Sequence, residues 1–201
     1  MKKILAVLTI ASALLLTGCS QTNQAATIGD FKISQTELQS SIDAVMAERT
    51  KVDSSQMQLE SGEALNRGQL RFKILMHTFD EIAKELKIEV TSSQIGAKKA
   101  SIIQSVGGEA ELPKNLVNAA IALQDFDTYV RAIVISEQIS AALAQAGVAE
   151  EEISNKVGEL LSAKAKTLGV KINPRYGSWD NAAGDVVAAN VTGDAVKPSA
   201  E

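Results

Sequence analysis

The sequence predicts a mainly helical α+β domain, in which several helices pack with a small antiparallel sheet built from the N-terminal strand or strands and a C-terminal strand. Three observations carry this. Apolar residues recur at three- and four-residue spacing through most of the 201-residue chain. Helix start and stop signals punctuate those segments. Strand-like stretches occur only near the two ends, at "ATIGDFKIS" and at "VKINPRY".

The first eighteen residues stand apart from that domain. Lys2 and Lys3, an apolar run from Ile4 to Leu16 and then small residues make a secretory signal peptide. The run is shorter than the roughly 20 residues a comfortable membrane span needs. Leu16-Thr17-Gly18-Cys19 resembles the bacterial lipobox, which implies cleavage before Cys19 and attachment of diacylglycerol to its sulfur. Each buried CH₂ contributes about 0.8 kcal/mol, so two or three acyl chains on one cysteine would hold the protein at a membrane face. Residues 19–26 then read as the lipidated Cys19 and a polar tether.

The domain proper is expected over 27–180. Thr27-Ile28, Gly29-Asp30 and Phe31-Lys32-Ile33 give either a tight strand–turn–strand or one bulged strand. Ser34-x-x-Glu37 is a capping box, opening a helix to about Arg49 with Leu38, Ile42, Val45 and Met46 on one face. "TKVDSSQMQLESGE" is polar and aperiodic, a loop. A helix of about 36 Å follows from about Ala64 to Lys87. Its stripe is Leu65, Phe72, Leu75, Met76, Phe79, Ile82, Ala83 and Leu86, while Leu70 and Ile74 fall on the opposite face near His77. A helix apolar on two sides is either sandwiched in the fold or touches something else.

Thr91-x-x-Gln94 is a second capping box, for a helix carrying Ile95, Ile102, Ile103 and Val106 and stopped by Gly107-Gly108. Pro113 opens a short helix through about Ala122. Asp125 is placed to cap the helix Phe126–Ala146, whose apolar face changes from Phe126, Tyr129, Val130 and Ile133 to Ile135, Ile139 and Leu143. Its two halves should pack on different partners. A last helix, from about Glu150 to Leu168, begins with three glutamates and ends with Lys164 and Lys166, matching the helix dipole. Gly169 stops it. Val170 to Tyr176 is expected to pair with Thr27 to Ile33, with Pro174 at a sheet edge or strand end. Residues 181–201 are poor in large apolar side chains and are expected to be disordered. Deleting 170–201 should therefore unfold the domain, and deleting 181–201 alone should not.

Composition excludes several functions. Hydrophobic residues make up 45% of the chain but aromatics only 3%, enough for an aliphatic core. Losing Lys2 and Lys3 from the 20 basic residues leaves 18 against 24 acidic ones, a net charge of −6, and no basic stripe suits nucleic acid. One cysteine and one histidine exclude an intramolecular disulfide and a Cys/His zinc site. His77 lacks a partner for acid/base work, and Asp80 and Glu81 read as a solvated face. No phosphate loop and no Gly-x-Ser-x-Gly motif is present. We expect no enzymatic activity, cofactor or metal.

The opening strand and capped helix, the long helix with the join "ELKIEVTSSQI", the segment "QDFDTYVRAIVISEQI" and the late run Asn173-Pro174-Arg175-Tyr176-Gly177-Ser178-Trp179 together resemble the N-terminal chaperone domain of the SurA-like periplasmic chaperones and foldase lipoproteins. The resemblance covers about Thr27 to Asp180. It implies a helical domain completed by the distant closing segment, with Asn173, Pro174, Arg175, Tyr176, Gly177 and Trp179 structural. Many relatives insert a parvulin-type prolyl isomerase domain before that segment. Here the stretch between Gly147 and the closing strand is too short to hold one. The resemblance therefore implies chaperone binding without isomerase activity.

The expected role is an ATP-independent holdase, exported and lipid-anchored to a membrane face in the cell envelope, in the periplasm or on the outer face of the cytoplasmic membrane. Its partners would be unfolded or nascent exported proteins. The alternative is a structural or adaptor envelope lipoprotein with one specific protein partner. Candidate client-binding residues are the off-stripe Leu70 and Ile74 with Met46 and Met76, whose thioethers adapt to varied partners, and beside them Met57 and Leu59. Arg175 is expected to pair with a carboxylate, and Tyr176 and Trp179 to cover the core.

Overall fold

The computed structural model describes residues 23–189. The chain opens with a hairpin, β1 (Gln24–Ile28) and β2 (Phe31–Ser34). Gly29, at φ 57°, takes the turn, and its N–H donates to the Leu168 carbonyl at 2.8 Å. The sequence left open a hairpin or a single bulged strand; the chain forms both features, because a register irregularity lies between Gln24 and Ala26. Six helices follow: α1 (Gln35–Arg49), α2 (Gly62–Leu86), α3 (Ser92–Ser105), α4 (Leu112–Asn118), α5 (Phe126–Gln145) and α6 (Glu150–Leu168). The chain ends in β3 (Val170–Ile172), β4 (Ser178–Asp180) and β5 (Asp185–Val187).

β3 closes the domain. It pairs antiparallel with β1 through Ala26–Ile172, Thr27–Lys171 and Ile28–Val170, giving a three-stranded sheet of order β2-β1-β3. The expected pairing of the two chain ends is present but narrower than expected. β3 stops at Ile172, because Pro174 has no N–H to add to a ladder and residues 174–176 instead form a 3₁₀ turn. The Asn173 side chain accepts from the Arg175 N–H at 3.2 Å and so starts that turn.

Both capping boxes form. Ser34 Oγ accepts from the Glu37 N–H at 3.1 Å, and the Glu37 carboxylate accepts from the Ser34 N–H at 2.7 Å. Thr91 and Gln94 repeat the pattern at 3.2 and 2.8 Å. The expected cap of α5 is absent. Asp125 makes no capping hydrogen bond, because a 3₁₀ turn over Leu123–Asp125 leads into α5 and keeps Asp125 in helical geometry. α4 also ends sooner than Ala122. Its end is a Schellman-type stop, with the Ile121 N–H on the Leu116 carbonyl at 2.9 Å and Ala120 left-handed at φ 53°.

α2 runs through the middle of the fold. Leu70 and Ile74 pack under the sheet with Ile28, Ile33 and Leu38. Leu65 meets Val45 of α1 and Ala122. Phe72 packs against the α4–α5 cluster of Leu112, Leu116, Phe126 and Val130. Ile82 and Ala83 meet Ile135 and Ile139 of α5 and Val157 of α6. The two halves of α5 thus pack on different partners, as the change of its apolar face predicts. α2 is the sandwiched kind of two-sided helix. Leu70 and Ile74 are fully buried at 0% exposure, so neither can bind a client. The sheet covers the face that the sequence left without a partner.

Two boundaries move. Gln24 and Ala25 belong to β1, and Ala25 is fully buried, so the folded domain begins ahead of residue 27 and takes in part of the stretch 19–26 expected to be a tether. The tail expected to be disordered from residue 181 is structured as far as the described residues go; 190–201 lie outside them. β5 pairs antiparallel with β4, placing Val186 opposite Trp179, and Val186 joins the core beneath the sheet at 3% exposure. Gly177 makes this hairpin possible. Its φ of 124° and ψ of −152° are tolerated essentially only by glycine, and a Cβ there would lie 2.1 Å from the Val187 carbonyl oxygen.

Deleting 181–201 should therefore destabilise the domain after all. Burial of a Val side chain contributes roughly 1.5–3 kcal/mol, and each kcal/mol moves the midpoint of a domain this size by about 2–4 °C. A chain ended at Asp180 should melt roughly 4–10 °C below one ended at Ala189 by circular dichroism; matching midpoints would show that β5 adds nothing. Gly177→Ala combines backbone strain with a clash, a cost of about 2–5 kcal/mol, and should lower the same midpoint by about 5 °C or more.

Candidate functional site

α2 presents Phe72, Leu75 and Met76 at i, i+3 and i+4, so the three share one helix face. That face is only half-buried. Opposite it stand the turn after α4, with Ile121, and Tyr129 of α5. Between them lies a cleft of about 320 Å³, with Glu60 and Arg71 among its lining residues. A groove of about 420 Å³ between α3 and α5 is larger, but Lys98, Glu137, Gln94 and Gln138 line it and Lys98 pairs with Glu137. A third cavity, of about 390 Å³, lies between Glu63, Asn66 and Arg67 of α2 and Pro174, Arg175 and Tyr176 of the closing run; the α2 cleft is the one that brings Phe72, Leu75, Met76, Ile121 and Tyr129 together.

A buried polar group shapes the cleft. Gln69, 2% exposed, donates from Nε2 to the Ala120 carbonyl at 2.8 Å. Its Oε1 accepts from Ser41 Oγ at 2.7 Å. One side chain on α2 thus ties α1 to the turn after α4. Ala120 is in the left-handed region, which a residue with a Cβ adopts at a cost of roughly 1–2 kcal/mol. Arg71 links the cleft to the closing segment. Its Nε donates to the Gly184 carbonyl at 3.2 Å and lies 3.5 Å from the Asp185 carboxylate.

The charged residues of this cleft are Glu60 and Arg71, and Arg71 is engaged by Gly184 and Asp185. His77 stacks on Phe31, with ring centroids 4.2 Å apart and planes 12° from parallel. Burial holds its pKa below the usual histidine range, opposed by the nearby Glu81 carboxylate. Burial raises the Asp125 carboxyl, opposed by Lys73. Asp80 is bound to Arg131 at 2.9 Å. Among the described residues no group of three or more His, Cys, Asp or Glu side chains is placed to hold a metal ion, and no helix is long and apolar enough to cross a membrane.

The sequence-predicted residues separate. Met76 lines the cleft, whereas Met46 is 47% exposed on α1 and receives an Arg49 Nη1 contact at 3.6 Å. Leu70 and Ile74 are core. Met57 and Leu59 are half-buried in the loop before α2. Cys19 lies outside the described residues. Phe72 and Leu75 were visible as an apolar stripe but read as core, because nothing local says which of two apolar faces meets the sheet. Tyr129 was legible as part of an apolar helix face and Ile121 carried no local signal, but only tertiary packing brings either of them to α2.

The closing run behaves as a structural clasp. Asn173 donates from its backbone N to Ala25 O at 2.9 Å and from Nδ2 to Gln24 O at 3.0 Å. Tyr176 and Trp179 pack against the sheet core. Arg175 does not meet a carboxylate as expected. Its Nη1 donates to Gln35 Oε1 at 3.2 Å, and its guanidinium sits over the Tyr176 ring at 5.4 Å. Comparison with protein-family models, curated proteins and solved structures found no match for this chain.

Gln69→Leu should leave the Ala120 carbonyl and the Ser41 hydroxyl without partners, at about 1–3 kcal/mol each. Chemical denaturation should show a stability loss of about 2–5 kcal/mol; a loss near zero would mean that water replaces the side chain. His77 makes a separate, pH-dependent prediction. Because its pKa is depressed in the fold, the unfolded chain protonates first as pH falls. The stability linked to neutral His77 is complete above its unfolded pKa of about 6.5 and is lost as pH falls below it. Between pH 7.5 and 5.5 the wild-type melting midpoint should fall more than that of His77→Phe; parallel curves would remove the linkage.

Proposed function

We infer that this protein is a lipid-anchored, ATP-independent holdase for unfolded exported proteins, without prolyl isomerase activity. The observation that carries the reading is the half-buried apolar surface that Phe72, Leu75, Met76, Ile121 and Tyr129 present in one cleft. A client side chain entering it would contribute roughly 1.5–3 kcal/mol, much of it offset by the ordering of both partners. Such binding is weak and reversible, as a holdase needs. The sequence resemblance and the lipobox-like Cys19 support a membrane face as the site of this activity.

A second reading is an adaptor for one defined partner. The small volume of the cleft favours it, since about 320 Å³ takes one or two side chains rather than a long apolar segment. The two readings separate in one pair of assays. The protein should suppress light scattering by a reduced, unfolded client at stoichiometric concentration. Phe72→Gln with Met76→Gln should lose most of that suppression while keeping the helical circular dichroism signal. No suppression by the wild type would reject the holdase, and a single stoichiometric partner in a pull-down would then support the adaptor.

A further inference from the structure

Two lysines of the sheet stand on either side of one strand position. Thr27 of β1 is paired with Lys32 on one side and Lys171 on the other. These three residues alternate with Ala26, Ile28 and Ile33, which face the core, so they occupy the outer face of the sheet. With strands about 4.8 Å apart, the two lysine Cα atoms are roughly 10 Å from each other. Both lysines are exposed. Among the described residues neither makes an ion pair; nor do Lys73, Lys87, Lys114 and Lys166, but those four are scattered over the helices and their ends, whereas Lys32 and Lys171 flank one strand position.

Arg175 adds a third cation without a carboxylate partner, exposed and stacked on Tyr176 at the end of β3. That end is where the chain enters the domain, because Asn173 is bonded to the Gln24 and Ala25 carbonyls and the Gln35 N–H to the Asn23 carbonyl. Two carboxylates border this face: Glu37, which accepts from the Ser34 N–H and keeps its negative charge, and Asp30 next to the hairpin turn, while Glu63 pairs with Arg67. In a chain with more acidic than basic residues, three cations that make no ion pair among the described residues thus stand on the entry side.

Five residue steps separate Cys19 from Gln24. Fully extended, they reach at most about 18 Å. An acylated Cys19 would therefore hold this end of the domain close to the bilayer surface. We propose that the outer face of the sheet, with Lys32 and Lys171 and with Arg175 at its edge beyond β3, is the membrane-facing surface of the domain and binds the phosphates of anionic phospholipid headgroups. The proposal rests on the lipid-anchor part of the functional reading and fixes the domain's orientation, which the anchor alone does not.

The test is acetylation footprinting of the purified lipoprotein, reconstituted in vesicles of phosphatidylcholine alone or mixed with phosphatidylglycerol. Each basic residue near an anionic surface shifts its local equilibrium roughly fivefold. Lys32 and Lys171 should be modified about fivefold more slowly on the anionic vesicles, and high salt should abolish the difference. Exposed Lys87 and Lys114 should react alike on both. Arg175→Gln, which leaves both lysines to be read, should reduce the protection several-fold. Intact mass reports the acyl chains on Cys19 independently. Equal lysine rates on both vesicles with the acyl chains present would overturn the orientation and leave the anchor standing. A mass without acyl chains would overturn the anchor reading, and the proposal with it.

Discussion

The antiparallel pairing of β1 with β3 is the constraint on which the rest of this structure depends. It joins Ala26 to Ile172 and Ile28 to Val170, at opposite ends of the folded chain. The sheet it completes covers Leu70 and Ile74, and so fixes which face of α2 is core. With that face assigned, Phe72, Leu75 and Met76 are left half-buried on another, where Tyr129 and the turn after α4 complete a cleft. The cleft is thus a by-product of how the chain ends meet. Closing so long a loop carries an entropic cost that local helix formation does not repay, so helices can form before the sheet is sealed.

Much of the fold was legible because helix boundaries are written locally. The pairs Ser34–Glu37 and Thr91–Gln94 each place two complementary polar groups three residues apart, and both close as capping boxes. Gly169 ends α6 in the left-handed conformation its position suggests. The divided apolar face of α5 foretold two packing partners, because that pattern depends only on helical period. Where the reading failed, the deciding contact was distant in sequence. Leu70 and Ile74 looked like a spare face since the strands that cover them lie before α1 and after α6. Asp125 looked like a cap, but the 3₁₀ turn before it holds its backbone in helical geometry. β5 escaped notice because three residues give no period, and its one core side chain, Val186, has meaning only beside Trp179.

The candidate site was half legible for the same reason. Met76 was named from its chemistry and does line the cleft, while Met46, named on equal grounds, is exposed on another element. The buried amide of Gln69 could not be recognised from sequence, since a glutamine amid helical residues ordinarily reads as surface. It nevertheless binds two elements at once and holds Ala120 in a conformation that residues with a Cβ rarely adopt. Arg71 extends the connection to the β4–β5 turn through the Gly184 carbonyl. The cleft, the closing hairpin and α1 therefore form one mechanical unit around the middle of α2.

The chain has a single tryptophan, and it lies in that closing hairpin. Trp179 packs on the sheet core and donates from its indole N–H to Asn181. The intrinsic indole emission of the protein is therefore a local optical report on the sealing of the chain ends, while far-ultraviolet dichroism reports the six helices. Agreement of the two signals through unfolding would mark the clasp and the helices as one cooperative unit. An earlier loss of the indole signal would instead expose an opened-clasp species, with its helices retained and the apolar underside of the sheet uncovered.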